Sequence, residues 1–254
     1  VGLTPKKQMK ILTAEEMQAT DSRTAEEFGV SLASLMERAG AAVASFCLRQ
    51  YPAVERITVF CGKGNNGGDG LVAARLLADA GKAVRVALLA QGSDLRGEAA
   101  AALARLQRET PAVPLVEILD AAILPGLLDG AGLYIDAVLG TGFKPPLRGL
   151  AVAVRDLLNS VSVPVVAIDL PSGWDADSLE QTMEGAFRAD AVVTFTRPKL
   201  AHIFGHLTRP RHPGTTTGPV VVAEIGSPPE AVPSAVKLAW AGSAKQIAEP
   251  PRDV

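Results

Sequence analysis

The stretch VFCGKGNNGGDG, from Val59 to Gly70, decides the fold class of this chain. Its first residues belong to an apolar, β-branched run that predicts a buried strand, and the glycine-rich turn leads into a helical run from Leu71 to Ala80. A strand, a tight turn and a helix gather backbone N–H groups at the helix N-terminus, where they bind anions. Three glycines match the G-x-G-x-x-G spacing of dinucleotide-binding folds: Gly62, Gly64 and Gly67.

The rest of the chain alternates between short apolar segments and helical ones. Capping patterns at Thr13 and Ser31 predict two leading helices, the first reaching Phe28 and the second ending before Pro52. Strands that are apolar on both faces and alternate with helices predict one α/β domain whose mostly parallel sheet is covered on two sides. The predicted strands are Ile57–Cys61, Val84–Leu89, Leu133–Ala137, Val163–Ile168, Ala191–Phe195 and Val220–Ile225. Further helices are predicted at Arg96–Gln107, Ala121–Leu128 and Leu150–Leu158.

The composition limits the classes of function. Of the 254 residues 48% are hydrophobic, and the net charge of −2 comes without a basic block, which argues against a nucleic-acid partner. Two isolated cysteines and three histidines suggest neither a disulfide framework nor a zinc site, and we expect the histidines, from His202 to His212, to lie in a surface loop. The sequence shows no signal peptide and no apolar run that could span a membrane, so we expect a cytoplasmic protein.

Three segments bring polar residues to the carboxyl edge of the predicted sheet, where open α/β sheets bind their ligands. They are the turn from Asn65 to Asp69, the loop that follows Asp136 and carries Lys144 and Arg148, and the segment Asp169–Gly173. Each has a plainer explanation, because glycine turns connect elements, aspartates cap helices and exposed cations are common. Three such segments on one edge, each with an acidic residue, favour a functional site.

The residue types suggest what each part of that site would do. The glycine loops and Lys144 suit phosphates, whereas Asp69 would need a sugar hydroxyl or the positive end of a helix beside it. Asn66, Asp136 and Ser172 offer hard oxygen ligands with one formal charge among them, which favours a weakly charged hard cation over zinc. Asp169 would then be free to act as a general acid or base.

The same segments resemble the signatures of a known family, the NAD(P)H-hydrate epimerases with the YjeF N-terminal domain. The matching segments are NNGGDG (Asn65–Gly70), DAVLGTG (Asp136–Gly142) and DLPSGWDAD (Asp169–Asp177), in order within a similarity that runs from about residue 10 to residue 230. The resemblance implies a Rossmann-like three-layer α/β/α sandwich and a homodimer. It also implies a bound potassium ion and epimerisation between the R and S forms of NADHX and NADPHX, the 6-hydroxy hydrates of NADH and NADPH.

Site residues also follow from this resemblance. It assigns the potassium ligands to Asn66, Asp136 and Ser172. Asp169 is our candidate for the acid that protonates the leaving C6 hydroxyl and takes the proton back when water returns. Substrate contacts are implied for Asn65, Asn66, Gly67, Gly68, Asp69, Gly140, Thr141, Gly142, Phe143, Lys144, Pro145, Pro146 and Asp169.

The two ends of the sequence also give an expected domain organisation. Residues 1–9 would be an extension, residues 10–245 the epimerase domain, and residues 246–254 a linker-like tail. Because the Pro250–Val254 segment resembles the lead-in to an ADP- or ATP-dependent NAD(P)H-hydrate dehydratase domain, we expect the chain to be the N-terminal half of a bifunctional repair enzyme.

Two rival functions are also compatible with the sequence. A hydride-transferring dehydrogenase would carry an acidic residue at the end of its second strand to bind a ribose, but the chain continues there as LAQG (Leu89–Gly92). A non-catalytic nucleotide-binding or scaffold module is the other rival, since domains of this type also occur in messenger-RNA decapping scaffolds and in an apolipoprotein A-I-binding protein. The intact NNGGD turn and both strand-end aspartates favour catalysis.

Overall fold

A computed structural model of the chain describes residues 8–128, 130–209, 217–233 and 237–239. Its main sheet has seven parallel strands in the order β4-β3-β2-β5-β6-β7-β8. The chain runs outward from β2 through β3 to β4 and then returns to build the other half from β5, so the strand order reverses between β2 and β5. Their bounds are β2 Arg56–Cys61, β3 Ala83–Leu88, β4 Leu115–Glu117, β5 Leu133–Ala137, β6 Val165–Ile168, β7 Ala191–Phe195 and β8 Val220–Ala223.

Helices cover both faces of this sheet, which confirms the three-layer α/β/α architecture. Helices α2, α3 and α4 share one apolar cluster with the sheet, while α5, α6 and a 3-10 segment at Ala121–Leu127 cover the opposite face. The first helix, α1, lies at the edge, where Met17 packs against Leu12 and Val232. The bounds are α1 Ala14–Phe28, α2 Leu32–Gln50, α3 Asn65–Asp79, α4 Gly97–Glu109, α5 Leu150–Ser160 and α6 Leu200–Phe204.

The alternation of side chains along β2 shows how the sequence builds these layers. Val59 and Phe60 are neighbours in the chain, yet Val59 joins the cluster under α2–α4 and Phe60 joins the cluster under α5. Successive side chains of a strand point to opposite faces, so a strand covered on both sides must be apolar throughout. Each of these fully buried side chains stabilises the fold by roughly 1.5–3 kcal/mol.

The glycine-rich turn is shorter than the sequence predicts, because α3 begins at Asn65 instead of Leu71. Asparagine and glycine are poor helix formers, so local propensity alone predicts a loop there. Close packing overrides it: a Cβ atom on Gly67 would lie 1.8 Å from the carbonyl oxygen of Gly62, and one on Gly62 would lie 2.1 Å from that of Val138. The glycines let the first turn of α3 lie directly against the ends of β2 and β5.

The remaining differences are local. The short strand β4 and the five-residue helix α6 were not predicted, and the predicted helix at Ala121–Leu128 is a 3-10 segment that contains Pro125. Proline removes a helical hydrogen bond and does not fit inside an α-helix. The predicted capping box of Thr13 and Glu16 is confirmed, with both of its hydrogen bonds present.

Two short strands form a separate antiparallel pair, β1 (Gln8–Lys10) with β9 (Lys237–Ala239). Residues 1–7 of the expected extension and the whole expected tail, 246–254, lie outside the described residues. Among the helices that the structure describes, none has the length and apolar character needed to cross a membrane. Both cysteines, Cys47 and Cys61, are buried and unpaired.

Candidate functional site

An open cleft of about 1290 Å³ lies at the carboxyl edge of the sheet, at the point where the strand order reverses. The segments that follow β2, β3, β5 and β6 contribute to its wall, together with α1 and α2. Open parallel sheets bind ligands at this position, because adjacent connections leave the sheet in opposite directions there. The structure therefore has a large cleft at the sheet edge where the sequence predicts the site.

The outer part of the cleft is suited to an anion. Gly64 caps the start of helix α3 and has no side chain to bond to it, so the first backbone N–H groups of the helix remain available at the cleft wall. Lys63 and Arg148 also line the cleft, and both are exposed without an ion pair to a described residue. Two cations beside an uncapped helix N-terminus create a positive electrostatic potential.

Asp169 is the most heavily hydrogen-bonded side chain of the cleft. It directly follows β6 with a φ of 65°, a left-handed conformation that few non-glycine residues adopt. Its Oδ2 accepts hydrogen bonds from the backbone N–H of Thr141, at 2.7 Å, and from that residue's hydroxyl. Its Oδ1 accepts hydrogen bonds from Lys199 Nζ at 2.8 Å and from the Thr194 hydroxyl at 2.9 Å.

These donors fix the protonation state of Asp169. Burial by itself would raise the pKa of this carboxyl, but the charge of Lys199 and the hydrogen bonds from Lys199 and Thr141 outweigh it and hold the pKa well below its usual range. Lys199 is only 1% exposed, and its ammonium group also donates to Thr194 and to the carbonyl of Phe195. The geometry therefore favours an ionised Asp169, which suits charge stabilisation better than proton donation.

His202 positions the backbone of Asp169 from the other side. Its Nδ1 accepts a hydrogen bond from the backbone N–H of Lys199 at 3.0 Å, so Nε2 carries the proton and donates to the Asp169 carbonyl at 2.7 Å. Burial, and then the charge of Lys199, lower the pKa of His202 to about 4, which keeps the ring neutral. The prediction of a surface loop is wrong for His202, which lies half-buried in α6; His206 is exposed and His212 lies outside the described residues.

Two more carboxyl groups line the cleft near this ion pair. Burial is the main cause that raises the pKa of Asp21 to about 6, and it raises the pKa of Asp69 well above its usual range. The charge of Asp169 acts in the same direction on both, and Lys199 opposes it. Oδ1 of Asp21 is buried and has no hydrogen-bond partner among the described residues.

Asp136 and Ser172 form a buried junction next to the cleft. The Ser172 hydroxyl donates to Asp136 Oδ1 at 2.6 Å, and its backbone N–H donates to Oδ2 at 2.7 Å. The backbone N–H of Leu139 donates to the Ser172 hydroxyl at 2.8 Å, which ties the loop after β5 to the turn after β6. Burial raises the pKa of Asp136 to about 6, although the hydrogen bonds from Ser172 and Val138 oppose it.

Asn66 reaches the same region from α3. A Cβ atom on Gly140 would lie 2.9 Å from Asn66 Oδ1 and 3.0 Å from Asp169 Oδ2, so these two side chains approach the same small space. The amide nitrogen of Asn66 is buried without a hydrogen-bond partner among the described residues. A buried amide N–H group without a partner is costly unless an acceptor atom of a ligand or a water completes it.

Lys144 is already engaged by two carboxylates at the rim. Its Nζ lies 2.7 Å from Asp175 Oδ1 and 2.9 Å from Asp177 Oδ2. Asp177 Oδ1 also accepts a hydrogen bond from the backbone N–H of Ala14 at 2.7 Å, at the start of α1. The rim therefore connects the loop after β5, the loop after β6 and the first helix.

The predicted site residues divide by their position. Those that line the cleft are Asn65, Asn66, Asp69, Gly140, Thr141, Gly142, Phe143, Lys144 and Asp169. Gly67 and Gly68 are buried in the packing of α3, Asp136 and Ser172 form the buried junction, and Pro145 and Pro146 are exposed outside the cleft lining.

Sequence reasoning gave no role to Asp21, Thr194, Lys199 or His202. A signal for Asp21 was present: it falls four residues after Met17 and three before Thr24, on the face of α1 that is buried. A carboxylate is rare on a buried helix face unless it has a partner or a function there. Lys199 and His202 could not be found in this way, because only the fold brings them to Asp169.

The comparisons with known proteins agree with this geometry. Residues 32–201 match the family described as YjeF-related protein N-terminus. An NAD(P)H-hydrate epimerase from Rhodopirellula baltica is 35% identical over 230 residues, which cover 91% of this chain and 90% of that protein. The bifunctional NAD(P)H-hydrate repair enzyme Nnr from Moorella thermoacetica is 38% identical over 234 residues, which cover 88% of this chain but 42% of that protein.

A solved structure also shares the fold. The crystal structure of yeast ynu0, YNL200c, superposes with a TM-score of 0.68 at 27% sequence identity, over 79% of this chain and 86% of the yeast chain. The family match covers most of the chain, and the Rhodopirellula protein is matched over nearly its whole length. The chain therefore belongs to the family of YjeF-related protein N-termini.

Proposed function

We propose that this chain epimerises the R and S forms of NADHX and NADPHX. The observation that carries the proposal is the cleft itself, where an ionised aspartate, Asp169, is held in the buried part and the uncapped N-terminus of α3 lies in the wall. The relatives named NAD(P)H-hydrate epimerase support it, and the chain covers 90% of the one from Rhodopirellula baltica.

The chemistry of the hydrate explains why an acidic cleft is useful. The lone pair of the ring nitrogen expels the hydroxyl at C6 when that oxygen receives a proton, so the C6–O bond breaks and water leaves. The ring becomes a planar iminium cation, and water can return to either face. Asp21, Asp69 and Asp169 face one ammonium group, Lys199, so their combined charge favours a cationic intermediate once two or more of them are ionised.

The exposed outer part of the cleft would hold the phosphates of the substrate. The N-terminus of α3, Lys63 and Arg148 supply the donors and the positive charge. Leu89 and Ala90 stand where a dehydrogenase would carry its ribose-binding acid, and the nearest acid along this segment of the cleft wall is Asp94. Neither hydride transfer nor that mode of ribose binding is favoured.

The residues also fit a potassium ion. Asn66 presents its amide oxygen beside Gly140, and Asp136 and Ser172 supply a carboxylate and a hydroxyl 2.6 Å apart in the adjacent junction. Such hard, weakly charged oxygen donors match a monovalent cation. When bound, the ion would compensate the buried charge of Asp136, and these three residues would thereby hold the two loops and α3 together.

The proposed function also includes a dehydratase that works with this chain and a second copy of the chain. The chain spans about two fifths of the length of the bifunctional relatives it matches. We propose that an NAD(P)H-hydrate dehydratase, fused or separate, consumes the S form, and that the epimerase domain acts as a homodimer. Sedimentation equilibrium would test the dimer directly.

A coupled assay tests the activity. R-NADHX is incubated with the chain and with an S-specific dehydratase, and the recovery of NADH absorbance is followed. We expect recovery well above the rate without the chain. A folded protein that binds NADPH but gives no additional recovery would favour the non-catalytic binding module.

A further inference from the structure

We propose that Asp21, on the first helix, is the residue that carries the proton during epimerisation. The proposal rests on the proposed function and assigns a role that the matched motifs do not give to this residue. The reaction needs a group that can give a proton to a leaving oxygen and take it back, and Asp169 is poorly suited to that task.

The hydrogen bonds of Asp169 show why it is poorly suited. Both of its oxygens are occupied by donors from Thr141, Thr194 and Lys199, and each donor stabilises the ionised form. A protonated Asp169 would lose its attraction to the buried ammonium of Lys199. This carboxylate therefore remains charged. The ammonium group of Lys199 donates hydrogen bonds to three acceptors, so it is already occupied by the protein.

Asp21 has the opposite surroundings. It lines the same cleft, but no described donor bonds to its buried Oδ1, so nothing satisfies a negative charge on that atom. The charged groups that face it are Asp169, Asp69 and Lys199, two carboxylates and one ammonium. An unsatisfied buried oxygen in this setting is stabilised when the group is protonated.

The protonation equilibrium of Asp21 fits the task. Burial raises its pKa to about 6, so both forms are present near neutral pH, which is the condition for an efficient acid and base. Burial also raises the pKa of Asp69, and the charges of Asp169 and Asp21 act in the same direction. Asp21 differs in its geometry, because among the described carboxylates it has the buried oxygen without a hydrogen-bond partner.

The step balances with Asp21 as carrier. Its proton passes to the C6 oxygen as the C6–O bond breaks, so one water molecule leaves and Asp21 becomes a carboxylate. Water then adds to C6 from either face, and Asp21 takes the proton that this water releases. No oxidant or other reactant is consumed.

The test compares Asp21→Asn with Glu26→Gln, a carboxylate on the same helix that is exposed. Wild-type activity should fall as the pH rises above about 6, because the first step needs protonated Asp21. Asp21→Asn should lower kcat by about 10²–10⁴-fold and remove this pH dependence, with little change in KM. Glu26→Gln should keep both the rate and the profile of the wild type.

A second variant separates proton transfer from a structural role. In Asp21→Ala, added formate should restore part of the activity, because a small carboxylic acid can enter the open cleft. Asp21 variants that retain wild-type rates and pH dependence, or that lose NADPH binding together with activity and gain nothing from formate, would overturn the proposal. A wild-type protein without epimerase activity would instead contradict the proposed function, and this inference would fall with it.

Discussion

The ammonium nitrogen of Lys199 lies 2.8 Å from Oδ1 of Asp169, and both side chains are almost completely withdrawn from solvent. Asp169 follows the sheet strand β6, whereas Lys199 precedes α6 and pairs with Leu12 through an isolated bridge. The ion pair thus joins the sheet edge to the N-terminal segment of the chain. A buried pair of this kind is expensive to break, because the remaining charge has no partner.

Replacing Asp169 with asparagine should abolish most of the proposed epimerase activity. The change preserves shape but removes the negative charge opposite Lys199, so we expect kcat to fall by at least about 10²-fold. Thermal unfolding of the variant should be measured in parallel. Asp156→Asn is the matched control, because Asp156 is exposed and pairs with Arg155 away from the cleft; Asp175 is unsuitable, since it contacts Lys144. An active Asp169→Asn protein would remove this residue from the mechanism.

Replacing Lys199 with methionine should make stability depend on pH in a new way. In the wild type the depressed pKa of Asp169 stabilises the fold above about pH 4, the ordinary range of an aspartate, and this contribution is lost only in acid. Without the ammonium, burial raises that pKa, so the variant should lose about 3–5 kcal/mol near pH 7. The loss should shrink as the pH falls towards 5.

Urea unfolding at pH 7 and pH 5 measures this difference. Arg23→Met, which removes an exposed pair with Glu27, should show the pH dependence of the wild type. A Lys199→Met protein whose loss of stability is the same at both pH values would contradict the assigned charge state of Asp169.

The packing of α3 predicts a sharp contrast between two glycines. A Cβ atom at position 67 would collide with the backbone of Gly62, whereas one at position 64 would meet nothing within 4 Å. Gly67→Ala should therefore destabilise the fold by about 3 kcal/mol or more, and Gly64→Ala by less than about 1 kcal/mol. Chemical denaturation gives both values, and similar losses for the two variants would show that α3 does not approach β2 as closely as described.

Potassium should stabilise the fold through the junction of Asp136 and Ser172. At a concentration ten times its Kd, the ion should add about 1.4 kcal/mol, seen as a higher Tm in potassium chloride than in choline chloride. Because burial raises the pKa of Asp136 to about 6, protons compete with the ion, and the difference should be smaller at pH 5 than at pH 7.5. Equal Tm values in the two salts at pH 7.5 would exclude the ion from this site.

The sequence predicts much of this molecule because its signals are local. Apolar strands, capping residues such as Thr13 and the strand-end positions of Asp136 and Asp169 are visible in single segments, and they place the cleft correctly. The start of α3 at Asn65 was missed because close backbone packing, which no local pattern contains, overrides poor helix propensity.

The sequence predicts the chemistry of the site less well than its location. Lys199 lies 30 positions from Asp169, and only the parallel arrangement of β6 and β7 brings them into contact. Without that contact, Asp169 resembles an ordinary general acid. With it, the carboxylate is held ionised, and the role of proton carrier passes to a residue that belongs to no matched motif.

The most direct measurement follows the two hydrates separately. Pure R-NADHX and pure S-NADHX are each incubated with the wild-type chain in H₂¹⁸O, and the forms are resolved by chromatography and mass spectrometry. We predict that both samples converge on the same ratio far faster than without protein, and that ¹⁸O enters C6 as they do. A folded, NADPH-binding protein that leaves both samples at the uncatalysed rate would contradict the proposed function.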